Sequence, residues 1–129
     1  MNAQETVEIK PPRKKTGIRR IIAATKYSID GLKLAAKTES AFKQELIASL
    51  FLLPLAIWLG ENAIEQSLLI ASVVMIMIVE LLNTAVEAVV DRVSSDFHEL
   101  SRQAKDLGSA AVFLSISLAI LVWVLLLLN

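Results

Sequence analysis

At 129 residues the chain is long enough for one domain, and 55% of it is apolar, above the share usual in soluble proteins. Cysteine is absent, which excludes a disulfide framework, a thiolate nucleophile and a zinc-thiolate cluster. Formal charge balances at 13 basic and 13 acidic residues, and no nucleic-acid partner is expected.

Residues 1–16, with Pro11-Pro12 and a basic cluster, read as a disordered lead, and residues 17–129 as one membrane domain. The lead has no cleavage pattern and the first apolar run starts late, so no signal peptide is expected. From about 17 to 37, Ile18, Ile21, Ile22, Thr25, Ile29 and Leu32 recur at three-and-four spacing, while Arg19, Arg20, Lys26 and Lys33 fall largely on other faces. That pattern predicts an amphipathic surface helix anchored electrostatically on anionic lipid. Where it gives way to the first span, Glu39 stands four residues before Lys43, beside Gln44 and Glu45. Taken alone, such a charge is usually hydrated or snorkelling.

Three apolar runs follow, 46–60, 64–90 and 108–128. A membrane crossing needs about 20 residues, so the first run must borrow flanking positions from Phe42 on, and Pro54 inside it implies a kink. The expected fold class is therefore an all-α membrane protein, with a surface helix and three spans at about 42–60, 64–90 and 108–128. Ten of the 13 basic residues precede the first run and the other three, Arg92, Arg102 and Lys105, lie between the last two. The positive-inside rule then puts the amino terminus and the second loop in the cytoplasm.

The second run carries Glu80, Asn83, Glu87 and Asp91, spaced by three, four and four, along one helical face. With a rise of 1.5 Å per residue, Glu80 lies about 10 Å deeper than Glu87. An ionised carboxylate at that depth costs about 3 kcal/mol on insertion scales, so Glu80 must face the bundle interior. Desolvation and a nearby cation would pull its proton affinity in opposite directions. Nearer water, Glu87 and Asn83 offer the oxygen ligands magnesium accepts, with phosphate oxygens and waters completing the octahedron.

The loop after this helix supplies what an anionic nucleotide needs: Lys105 as a cation, Asp96, Glu99 and Asp106 as further acids, the lone His98, and Gly108 for close backbone approach. No GxxxxGK[ST] loop or GxGxxG turn occurs, so a nucleotide site would be built differently from the usual soluble frames. On residues alone, three readings stand: a membrane kinase, a proton or ion pathway through Glu80 and Glu87, and a non-catalytic assembly subunit. A pathway requires polar groups on towards the far side, where Ser67 and Ser72 are the main candidates.

The run ELLNTAVEAVVDR from Glu80 to Arg92, then HELS from His98 and AKDLGSAA from Ala104, resembles the signature of the prokaryotic diacylglycerol kinase family. Arg20-Ile-Ile, Tyr27-Ser28, Gly31-Leu32 and ESAFKQE from Glu39 to Glu45 match in the surface-helix region. The likeness runs from about residue 17 to the end, with Lys43 where the best-known members carry Arg.

The resemblance implies a homotrimeric kinase of the bacterial cytoplasmic (inner) membrane that moves the γ-phosphate of ATP to diacylglycerol, giving phosphatidic acid. It also implies roles: Glu80 as general base with Asn83 positioning the site, and Glu39 and Glu87 holding Mg2+ on the nucleotide phosphates. Arg20, Tyr27, Ser28, His98, Glu99, Lys105 and Asp106 would surround the nucleotide. Arg20, Ser28, Gln44 and Glu80 would meet the lipid alcohol, and Asp91 would support the cytoplasmic end. A sister branch phosphorylates undecaprenol; the HELS block is closer to the diacylglycerol branch.

Overall fold

The computed structural model describes residues 16–128, so the expected disordered lead, apart from Thr16, lies outside the described residues. These residues form four helices in the order α1 (Ile18–Thr38), α2 (Ser40–Leu59), α3 (Ala63–Val93) and α4 (Glu99–Leu127). The last three are long and apolar enough to cross a membrane. The chain divides into a unit ending at Gly31 and a second from Leu32 onwards.

In the first unit, α1 starts after Gly17, whose φ of 61° is open to glycine without strain. The Gly17 carbonyl accepts the first helical bonds, from the N–H groups of Arg20 (3.0 Å) and Ile21 (3.4 Å). Ile18, Ile21, Ile22 and Ile29 are all exposed within the protomer.

In the second unit, a single extended residue, Glu39, separates the end of α1 from α2. Its N–H donates to the Ala35 carbonyl (2.9 Å) and its own carbonyl accepts from Lys43 N–H (3.1 Å), so both backbone groups of Glu39 itself are bonded at the break. The 20 residues of α2 give about 30 Å, the thickness of a hydrocarbon core, and the helix runs through Pro54.

The turn into α3 is tightly specified. Gln66 Nε2 reaches back to the carbonyls of Ile57 (3.0 Å) and Gly60 (3.1 Å), groups that the end of α2 leaves open. Asn62 caps α3 by accepting from the N–H groups of Ile64 (3.0 Å) and Glu65 (3.1 Å). Glu65 answers by accepting from Glu61 N–H (2.9 Å) and Asn62 Nδ2 (2.7 Å), a reciprocal cap that lets two apolar helices fold back without a basic residue between them.

α3 packs against both α2 and α4. Its 31 residues measure about 46 Å and outrun the hydrocarbon core by several turns. The buried stripe of α2 is Phe42, Ser49 and Ala56, seven residues apart; that of α3 is Leu69, Ser72, Val73 and Glu80; that of α4 includes Ser115 and Ala119. Small residues on these stripes let the backbones approach, since apolar side chains gain nothing by leaving lipid for protein.

The buried hydroxyls are satisfied. Ser49 donates to the Leu46 carbonyl (2.7 Å), Ser115 to Val112 (2.8 Å) and Ser72 to Leu69 (2.8 Å), while Ser72 Oγ also accepts from Trp123 Nε1 (3.2 Å). Ser67 donates to Ala63 (2.6 Å). Both serines that could have continued a polar pathway below Glu80 therefore spend their protons on their own helix.

Candidate active site

Glu80 sits at the contact face of α3 and is 8% exposed, the only buried acid among the described residues. Its carboxylate lies within electrostatic reach of Glu39, Glu45 and Glu87. Four acids thus converge from the start of α2 and the middle of α3, and among the described residues none of them makes a salt bridge. Like charges gathered in a partly desolvated place are costly unless a cation, a proton or a substrate's charge completes them.

Along α3 the polar face grades from buried to exposed: Glu80 is buried, Asn83 and Glu87 are half-buried, and Asp91 is exposed. Asn83 Nδ2 donates to Glu87 Oε1 (3.2 Å), one turn along. Asn83 Oδ1 is enclosed without a partner. It faces α4 at Gly108, where an added Cβ would collide with it. Gly108 was expected to admit a nucleotide close to the backbone; the space over it is instead filled by the Asn83 side chain.

At the junction of α1 and α2, the Glu39 side chain makes no capping bond to α2. Among the described residues, its one hydrogen bond is accepted by Oε1 from Thr38 Oγ1 (3.2 Å). Gln44 and Lys43 are exposed on the first turns of α2.

The loop beyond α3 is held by ion pairs. Lys105 Nζ donates to Asp91 Oδ1 (2.6 Å), and Arg102 bridges Glu99 (2.6 Å) and Asp106 (2.6 Å). His98 caps α4 through Nδ1, which accepts from Leu100 N–H (3.1 Å), so the ring proton sits on Nε2 as a donor. His98, Asp91 and Lys105 line one hollow between the ends of α3 and α4.

In the first unit, Arg20 and Ser28 line an open face of α1, and Tyr27 is 65% exposed beside it. Ser28 Oγ donates to the Ala24 carbonyl (3.0 Å).

Reading the sequence for sites overlooked Glu45. One of its carboxylate oxygens is enclosed without a partner, and it stands opposite Glu80. The signal was present: Glu45 lies three residues after Phe42 on the stripe that Ser49 and Ala56 continue, so it belongs to the buried face of α2.

Among the described residues no three of His, Cys, Asp and Glu form a ready metal cage. Magnesium does not require one, since it is usually held by one or two carboxylates with substrate phosphates and waters filling its octahedron. Glu39, which makes no cap bond to α2, and the half-buried Glu87, both within electrostatic reach of Glu80, fit such a partial site.

The model of the family described as prokaryotic diacylglycerol kinase matches residues 26–127. The chain is 53% identical over 112 residues to the diacylglycerol kinase of Escherichia coli (strain K12), covering 87% of this chain and 92% of that protein. It is 50% identical over 110 residues to the diacylglycerol kinase of Haemophilus influenzae, covering 85% and 93%. It is 43% identical over 119 residues to that of Pseudomonas aeruginosa, covering 92% and 97%. With three membrane-length helices and likeness over most of its length, the chain belongs to the prokaryotic diacylglycerol kinase family, a family of membrane lipid kinases.

Proposed function

We propose that the protein transfers the γ-phosphate of ATP to the free hydroxyl of diacylglycerol at the cytoplasmic face of the inner membrane, giving phosphatidic acid and ADP. The observation that carries this reading is the burial of Glu80 at the membrane end of an acidic face that runs through Asn83 and Glu87 to Asp91. Glu80 accepts the hydroxyl proton as the lipid oxygen forms its bond to the γ-phosphorus, and the bond from that phosphorus to the bridging oxygen of ADP breaks. Phosphoryl transfer asks mainly for positioning and charge neutralisation, which suits a small site with few polar groups.

Glu39 and Glu87 would hold Mg2+, which supplies charge neutralisation on the nucleotide phosphates. Asn83 steadies Glu87 through its Nδ2 bond. Lys105, His98, Glu99 and Asp106 meet the nucleotide from the second loop, while Gln44 orients the lipid. Asp91 holds Lys105. The basic amino-terminal segment and second loop lie in the cytoplasm by the positive-inside rule. The protein acts as a homotrimer, consistent with the small share of each span that the protomer buries by itself.

The test is phosphate incorporation from labelled ATP, with and without Mg2+, into diacylglycerol and separately into undecaprenol in mixed micelles. Preference for diacylglycerol is the expected result. Preference for undecaprenol would change the acceptor, and labelling of neither would sink the kinase reading.

A further inference from the structure

We infer that Gly108 is a positioning residue for phosphoryl transfer: by leaving α4 bare where α3 meets it, Gly108 seats the Asn83 amide so that it steadies Glu87. The inference rests on the reading of Asn83 and Glu87 as parts of the site. Three observations converge on it. A Cβ at position 108 would collide with Asn83 Oδ1 and come within 3.2 Å of Asn83 Cγ. Asn83 Nδ2 donates to Glu87 Oε1 at 3.2 Å. Asn83 Oδ1 is enclosed and has no donor of its own.

Together these fix the amide in two respects. Its sense is set by Glu87, because turning the amide over would put a carbonyl oxygen against a carboxylate oxygen, two acceptors with no proton between them. Its depth is set by Gly108, because any side chain there would drive Asn83 out of the seam between α3 and α4. Local propensity argues against glycine inside a helix, where alanine is the better residue. The position lies within α4, a 29-residue helix, so its glycine has a tertiary reason, and the Asn83 side chain is the atom group that needs the space.

Gly108 touches neither substrate nor nucleotide in this account; it acts through Asn83 on Glu87. A displaced Asn83 would leave Glu87 without its Nδ2 donor and free to leave its place on the acidic face. The consequence is a loss in turnover and in the affinity for magnesium, with the lipid's own binding spared.

The experiment is a comparison of wild type with the full-length Gly108→Ala variant in mixed micelles, titrating magnesium at saturating ATP and diacylglycerol, with Ser109→Ala as a neighbouring control. Gly108→Ala should lower kcat roughly ten- to a hundredfold, the usual effect of misplacing a catalytic group by about an ångström. The magnesium concentration for half-maximal rate should rise several-fold, while the KM for diacylglycerol and the thermal unfolding midpoint hold. Ser109→Ala should behave as wild type. A variant with normal kcat and magnesium dependence would overturn the inference. So would a loss of rate matched by loss of folded protein with magnesium dependence unchanged.

Independently of whether the variant folds, wild-type protein should give a nuclear Overhauser effect between Asn83 Hβ and Gly108 Hα protons, and its absence would overturn the inference. Wild-type protein inert towards diacylglycerol would overturn the functional reading and this inference with it. An active wild type beside an unaffected Gly108→Ala variant overturns this inference alone.

Discussion

Lys105 Nζ lies 2.6 Å from Asp91 Oδ1, a bond across 14 residues that ties the last turns of α3 to the first turns of α4. Arg102 is engaged in the same way by Glu99 and Asp106 on its own helix. Lys105 and Arg102 are thus each paired with acid, and a polyphosphate must compete for them.

Lys105→Met should therefore raise the KM for ATP about tenfold or more, the weight of one charged contact. The cost in stability should be small, because both partners of the pair are exposed and such pairs are worth little. Initial rates against ATP concentration, beside thermal unfolding, check both halves.

Glu87→Gln and Glu39→Gln should each weaken the apparent affinity for magnesium and ATP by about ten- to a hundredfold, again the range of a charged contact. The double variant should fall short of the product of the two, since both residues would serve one ion and sites that share a partner are not additive. Magnesium titrations of all three variants measure this. Unchanged affinity in Glu87→Gln would remove it from the ligand set.

How far the molecule could be read in advance depends on the scale of the feature. The three spans were legible because long apolar runs in lipid admit only helices, and the face through Glu80, Asn83, Glu87 and Asp91 because 3.6-residue periodicity puts three-and-four spacing on one side. The handover from surface helix to first span was legible at Glu39, but not its form, a single extended residue that neither Gly nor Pro marks. Nor was the meeting of Asn83 with Gly108, which depends on the register of α3 against α4, a quantity no single helix carries. Glu45 was half legible: its face could be derived, but its nearness to Glu80 could not.

Trp123→Phe should cost about 0.6 kcal/mol and at most about 1.7, the measured span for interhelical hydrogen bonds in membranes. The change removes the 3.2 Å bond from Trp123 Nε1 to Ser72 Oγ, while Ser72 keeps its bond to the Leu69 carbonyl. Activity at ordinary temperature should be kept, because this contact lies away from the acidic face. Thermal unfolding in micelles together with a rate measurement distinguishes the outcomes, and a large loss of rate would extend the site to this seam.

The most direct test of the account is the kcat of Glu80→Gln, measured with ATP, Mg2+ and diacylglycerol beside its unfolding midpoint. Gln keeps the shape of the side chain at this buried position and removes the proton acceptor. The account predicts a fall in kcat of about 10²- to 10⁴-fold, the usual contribution of a general base, with the midpoint unchanged or raised. A variant that folds normally and retains kcat within about tenfold of wild type would contradict it, since so small a loss lies below what removing a general base costs.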